Sequence, residues 1–247
     1  MSFAKVSSAQ TYLLEGRLVS VEVDTSYGLH QFSIVGLPDK AVEEARDRVS
    51  AALKNSGFES PKSKNQKIVV SLAPAHIKKE GSLFDLAIAL CYLLAEEEIS
   101  FTPADKIFLA ELSLDGFLRP LSGILPLARE AAKKGFKEIY VSPENASEAA
   151  LIENISVYAP RKLSDLIEHL AGKKKLVKTP ATKIENKNKE ALHDLSEIKG
   201  QETGKRGLVI AAAGGHNIAL YGPAGVGKTM LARALAGILP PLSFEEM

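Results

Sequence analysis

Eight consecutive residues, Gly222-Pro223-Ala224-Gly225-Val226-Gly227-Lys228-Thr229, carry the densest chemistry in the chain. Their spacing, G-x-x-x-x-G-K-[ST], suits a loop that wraps the phosphates of a nucleoside triphosphate. Glycines let successive main-chain N–H groups curl around phosphate oxygens with no side chain in the way. Lys228 has the length and charge to reach the β and γ phosphates, and the Thr229 hydroxyl can ligate Mg²⁺. A helix opening near Lys228 and running through Met230 adds its positive end to the same cradle.

The flanking sequence suits such a loop. Asn217-Ile218-Ala219-Leu220-Tyr221 predicts a short buried strand, and Met230 to Ala236 has apolar residues at helical spacing. A helix is expected from Glu202 through Ala213, then Gly214-Gly215-His216 leads into the strand, and Pro240-Pro241 breaks the helix after the loop. A P-loop ATPase needs further strands, one of them carrying a carboxylate for Mg²⁺ and water. With Met247 following so soon, the chain reads as an N-terminal domain and the opening of an ATPase core. By itself it is not expected to hydrolyse ATP.

Composition narrows the rest. The 247 residues are 45% hydrophobic with a formal net charge of +1, enough for real cores and too balanced for any global argument for nucleic acid or acidic membrane. The lone cysteine, Cys91, sits in an apolar helical pattern and reads as a small buried hydrophobe. The start lacks a secretory signal and no apolar run is long enough to span a bilayer, so a cytoplasmic protein is expected. Five histidines lie without metal-ligand spacing, leaving nucleotide-bound Mg²⁺ as the only metal expected.

Ahead of the loop, strands are predicted at Leu18–Val23, Gln31–Val35, Ile68–Leu72, Ile139–Val141 and Ser156–Tyr158. Helices are predicted over about 40–55, with Val42, Ala45, Val49, Ala52 and Leu53 inward, and over 84–94, 125–134 and 163–171. Asp115-Gly116, between the apolar runs Ile107–Leu112 and Phe117–Arg119, signals a hairpin that supplies the antiparallel part of the sheet. The basic loop at Lys62, Lys64 and Lys67 reads as solvated, with nucleic-acid phosphate as the sharper alternative. Lys173, Lys174, Lys175, Lys178, Lys183, Lys187 and Lys189 stand against a single acid, Glu185, and mark a basic linker. The expected domains are therefore 1–171, a linker over 172–190, and 191–247.

Gly207 to Asn217 running on to the P-loop and Met230-Leu231-Ala232, Gly237 to Leu242, Val35 to Asp39, Lys79-Glu80-Gly81, Phe84-Asp85-Leu86 and the hairpin from Glu111-Leu112 to Gly116 together resemble the YifB/ComM group of bacterial magnesium-chelatase-like AAA+ proteins. The resemblance covers nearly the whole chain. The group often has proline where this chain has Ala224. The resemblance implies an α/β fold: an N-terminal α/β sandwich of the ribosomal protein S5 domain 2-like type, shared with the proteolytic part of Lon protease, followed by the beginning of a P-loop AAA+ domain. By hand alignment the Lon catalytic serine and lysine fall at Leu83 and Leu125, neither of which can act as nucleophile or base, so that domain is expected to be catalytically inactive. Ser82 stands one residue away, while Lys78, Lys79 and Asp85 are candidates for phosphate or interdomain contacts.

The same resemblance places Ile198, Gly200 and Gln201 beside the adenine of ATP and assigns the phosphates and Mg²⁺ to Gly222, Pro223, Ala224, Gly225, Val226, Gly227, Lys228, Thr229 and Met230. It implies an ATP-driven DNA motor, self-associated as a hexameric ring, that moves branches of recombination intermediates or serves natural transformation. Its expected partners are branched DNA and recombination proteins, with no membrane. The alternatives are a magnesium-chelatase-type ATPase that remodels a protein partner, or a non-enzymatic recruiting domain.

Overall fold

The computed structural model describes residues 2–183 and 194–240. The chain forms two compact units, Met1–Lys183 and Ile184–Met247.

The first unit is built on a seven-stranded mixed sheet of order β3-β4-β2-β1-β5-β8-β9. Its strands are β1 (Ser2–Tyr12), β2 (Glu15–Tyr27), β3 (Gln31–Val35), β4 (Gln66–Ala73), β5 (Lys106–Leu109), β8 (Glu138–Val141) and β9 (Ser156–Tyr158). A separate two-stranded ribbon pairs β6 (Glu111–Leu112) with β7 (Leu118–Arg119) around the Asp115-Gly116 turn. The antiparallel part of the main sheet is β1–β2 and β2–β4, not that hairpin. The predicted hairpin arm from Ile107 to Leu112 is divided, its first half joining β1 and β8 as β5.

Alternation decides which face each strand buries. Val6, Val21, Val23, Ile68, Val70, Leu72, Phe108 and Tyr140 point into one core, with α1 (Lys40–Asn55), α2 (Asp85–Ala95) and α5 (Leu163–Leu170). Ala9, Ile107, Leu109, Ile139, Val141 and Val157 point into the other, with α3 (Ile124–Lys133) and α4 (Ala146–Ala149). Helices thus cover both faces of an α/β sandwich. α2 is apolar around its circumference because it is buried around its circumference, and Cys91 within it is wholly enclosed, its thiol pushed up to about 12 by burial.

α1 keeps its predicted bounds and inner face. Asp39 caps it by accepting from the Val42 N–H at 2.8 Å, a contact of the kind that stabilises a helix by about 1 kcal/mol. Before the cap, Gly36 has φ +109, and a Cβ there would lie 2.3 Å from the Leu72 carbonyl oxygen. Only glycine fits a backbone that turns so close against β4.

At the start of α2, the fully buried Asp85 receives Arg48 through both carboxylate oxygens, at 2.7 and 3.0 Å, and the Leu112 N–H at 3.3 Å. Burial outweighs the pull of Arg48 and lifts the Asp85 carboxyl to about 6, while the same contact raises Arg48.

Residues 172–183 of the segment expected as a linker are held against the first unit. Thr179 N–H donates to the Val157 carbonyl, Thr182 N–H to Ala150, and Leu176 N–H to His169 Nδ1. Lys173, Lys174, Lys175, Lys178 and Lys183 are exposed along it. Lys187, Lys189 and Glu185 lie outside the described residues, as do Pro241 and Leu242.

The second unit, over its described residues, has a short 3₁₀ turn at Leu195–Glu197, α6 (Glu202–Gly214) and α7 (Lys228–Ile238). Its core is small: Ile198, Leu208, Leu231 and Ala234, flanked by Leu195, Leu220, Leu235 and Ile238. The predicted strand Asn217–Tyr221 does not form, and Tyr221 is fully exposed. A strand requires a neighbour to bond its main chain, and no strand is present among the described residues of this unit.

Among the described residues no helix is long and apolar enough to cross a membrane.

Candidate nucleotide-binding site

The glycine loop runs from the extended segment after α6 into α7. Gly225 and Gly227 have φ +84 and +85, the left-handed region that two such closely spaced residues enter readily only as glycine. Around both positions the space is open, with no heavy atom within 4 Å of where a Cβ would lie. Gly227 is the N-cap of α7, and the first bond of the helix runs from the Leu231 N–H to the Gly227 carbonyl at 3.0 Å. The N–H groups of Lys228, Thr229 and Met230 therefore precede the helical ladder, at the positive end of an 11-residue helix.

Lys228 begins that helix and folds back over the loop. Its Nζ donates to the carbonyls of Gly222 at 2.9 Å and Pro223 at 2.6 Å. The ammonium is thus held at the loop, and its two partners are neutral acceptors. An anion entering there would meet a cation with no opposing carboxylate among its described partners. Thr229 and Met230 are exposed on the first turn, and Pro223, Ala224 and Val226 are exposed in the loop.

A second segment meets the loop from a distance in sequence. Gly200 and Gln201 are both left-handed, at φ +69 and +57, and Gln201 caps α6. Its side-chain amide donates to the Val226 carbonyl at 3.1 Å. Ile198, by contrast, is only 6% exposed and packs its side chain into the core with Leu208, Leu231 and Ala234. Of the residues assigned to a nucleotide, Gln201 and the loop are therefore brought into contact, while the Ile198 side chain is committed to the packing that holds α6 and α7 together. The Gln201–Val226 bond has no signature in the sequence, because the two residues are 25 positions apart.

Comparison with known proteins gives the chain its family. A family model described as subunit ChlI of Mg-chelatase matches residues 21–145, and a second, magnesium chelatase subunit ChlI, matches 194–247, which holds the loop. The chain is 42% identical to the competence protein ComM of Haemophilus influenzae, over 98% of this chain and 48% of that protein. It is 44% identical to the protein YifB of Escherichia coli, over 92% of this chain and 44% of the relative, and 43% identical to YifB of Salmonella typhimurium, over 100% and 48%.

The chain belongs to the YifB/ComM family of magnesium-chelatase-like proteins.

It spans about half the length of the curated relatives it matches. Membership gives the loop an ATPase family as its setting. No group of three or more His, Cys, Asp or Glu side chains that could hold a metal ion converges among the described residues.

The polar residues of the first unit are mostly engaged elsewhere. Lys79 and Asp85, candidates for phosphate or interdomain contacts, are both fully buried. Lys79 donates to the Pro74 carbonyl, with burial lowering its pKa, and Asp85 holds Arg48. Neither faces an incoming ligand, which corrects that expectation; their burial could not be read from charge alone. Lys78 is exposed and pairs with Glu80. Ser82 donates to the Glu111 carboxylate, and the Leu125 N–H donates to Glu148. In the basic loop, Lys62 pairs with Asp47, and Lys64 with Glu96, Glu98 and Glu59. Those two cations are already neutralised, which favours the solvated reading of the loop.

Proposed function

We propose that this chain contributes the nucleotide-binding loop and the N-terminal domain of an ATP-driven motor acting on DNA. The observation that carries the reading is the glycine loop opening onto α7 with Lys228 folded across it. The similarity to a competence protein supports DNA as the substrate. The domains of the proposal are 1–171, of S5 domain 2-like type and catalytically inactive, the basic linker 172–190, and 191–247, the start of the AAA+ module.

The loop residues suit a nucleoside triphosphate. Gly222, Gly225 and Gly227 leave the approach to the loop free of side chains, and the N–H groups from Gly225 to Met230 would hold the phosphate oxygens. Lys228 would exchange its two carbonyl partners for phosphate charge. Thr229 would hold Mg²⁺, which when bound neutralises charge on the phosphates. Gly200 and Gln201 would edge the base, with Gln201 steadying the loop through Val226.

The remaining half of the relatives' length would supply the catalytic carboxylate and the strands that pair with Asn217–Tyr221. Tyr221, Ile210, Val209 and Met230, all substantially exposed, would then be covered. The whole protein would self-associate as a hexameric ring, placing a neighbour's arginine at the phosphates. The exposed lysines from Lys173 to Lys183 supply a fixed row of charge suited to a phosphate backbone, and recombination proteins are the expected protein partners.

The family description favours one second reading, a chelatase-type ATPase that remodels a protein. ATP turnover by the whole protein, with and without branched DNA and beside Lys228→Ala, separates the two. The motor requires stimulation by branched DNA and a loss of at least about 10²-fold in the variant. Turnover dependent on Lys228 and indifferent to DNA moves the assignment to the remodelling ATPase; turnover unchanged in the variant removes the loop from the mechanism.

A further inference from the structure

The segment after α5 runs back over the first unit, and between Lys174 and Thr179 one hydrogen bond holds it among the described residues. The Lys173 and Lys174 N–H groups bond the end of α5 at the Glu168 carbonyl, and the Thr179 N–H reaches Val157 on β9. In between, the Leu176 N–H donates to His169 Nδ1 at 2.9 Å, and the Leu176 side chain packs on the core. On either side of this pin Lys175, Val177 and Lys178 are exposed.

A ring nitrogen accepts an N–H only when it carries no proton, so the neutral imidazole of His169 keeps its hydrogen on Nε2. Protonation of Nδ1 turns the acceptor into a donor and sets it against the Leu176 N–H. One proton therefore abolishes the bond that fixes the middle of the segment.

The surroundings make that proton costly but not inaccessible. The ring is half-buried, 5.8 Å from the ring of Tyr140 on β8 and 5.0 Å from that of Tyr158 on β9. The charges that reach it are Glu138 on β8, Lys106 on β5 and Lys175 on the segment itself. Glu138 favours the proton, but its carboxylate is shared with Lys106 at 3.3 Å and the Tyr140 hydroxyl at 2.7 Å. On α5 itself, Asp165 lies 4.0 Å from Lys174. Burial, aided by Lys106 and Lys175, outweighs Glu138 and holds the imidazole below its ordinary 6.5. Docking of the segment is then complete above the ordinary value and is lost as pH falls through the lowered one.

We propose that His169 is a proton-operated latch: neutral, it fixes residues 175–178 on the first unit; protonated, it frees them while Lys173, Lys174 and Thr179 stay bound. The latch sets whether Lys175 and Lys178 are presented in fixed positions or on a free loop. It lies within the first unit and does not rest on the nucleotide reading.

Amide hydrogen exchange by NMR on the 247-residue chain, corrected for the intrinsic pH dependence of exchange, tests it. Between about pH 7.5 and about pH 5, protection at Leu176 falls about tenfold, the loss of one hydrogen bond. The midpoint of that fall coincides with the titration of the His169 ring. Thr179 and Thr182, whose N–H groups bond Val157 and Ala150, keep their protection and report that the unit stays folded. His169→Asn retains an acceptor near the position of Nδ1 with nothing to titrate, and makes Leu176 protection independent of pH. His169→Phe keeps a ring against Tyr140 and Tyr158 but no acceptor, and leaves Leu176 about tenfold less protected at both pH values. Parent protection that ignores pH or has a different midpoint from the ring, a fall that persists in His169→Asn, or full protection in His169→Phe overturns the proposal.

Discussion

The side-chain amide of Gln201 donates to the main-chain carbonyl of Val226 at 3.1 Å, tying the turn before α6 to the middle of the glycine loop. The donor residue itself sits at φ +57, so the contact is made from a constrained backbone. Gln201→Ala removes this tether and leaves Lys228 untouched. We expect nucleotide affinity of the whole protein to fall about 3- to 10-fold, the loss of one exposed hydrogen bond, with turnover at saturation nearly unchanged. An equal fall in kcat would instead place Gln201 in the reaction itself.

Gly36→Ala sets a Cβ 2.3 Å from the Leu72 carbonyl oxygen at φ +109. The neighbour is main chain of β4 and cannot step aside as a flexible side chain would. A loss of at least about 2 kcal/mol in the first unit is expected from the clash and the strained conformation. Urea unfolding followed by circular dichroism checks it, and a variant as stable as the parent contradicts the close approach.

Asp85 carries a pH signature. Its carboxyl, at about 6 in the folded chain against an ordinary 3.8, binds its proton more tightly when folded. Stability from this group is full below the ordinary value and is lost as pH rises through 6. Asp85→Asn cannot ionise, so the stability of the parent relative to this variant should fall by about 2 kcal/mol from pH 4 to pH 7. Urea midpoints for both proteins across that window supply the comparison. A constant difference assigns the pH dependence to other groups.

Lys173, Lys175 and Lys178 are exposed on a segment fixed to the first unit, whereas Lys62 and Lys64 are already paired with acids. If the first group lies along DNA, replacing its three lysines by alanine lowers affinity and reduces the slope of log K against log salt by about 2 to 3. The same replacement of Lys62 and Lys64 leaves the slope unchanged. Fluorescence anisotropy over a salt series measures both, and a reversed order of effects points to the loop before β4.

What the sequence determined by itself is what depends on neighbours close along the chain. α1 could be placed at about 40–55 because a capping residue at Asp39 and the helical spacing of Val42, Ala45, Val49, Ala52 and Leu53 are both local signals. The glycine loop and the start of α7 at Lys228 were legible for the same reason, since turn glycines and a helix N-terminus are local. Tertiary structure decided the rest. β1 escaped the sequence reading because Ser2–Tyr12 is rich in serine and alanine; its place inside the sheet comes from β2 on one side and β5 on the other. Asn217–Tyr221 shows the converse, an apolar run with strand character that has no strand to pair with among the described residues. Lys79 and Asp85 look like surface chemistry in one dimension and are enclosed in three. The contact between Gln201 and Val226 depends on two segments 25 positions apart meeting in the fold, and no local spacing encodes that.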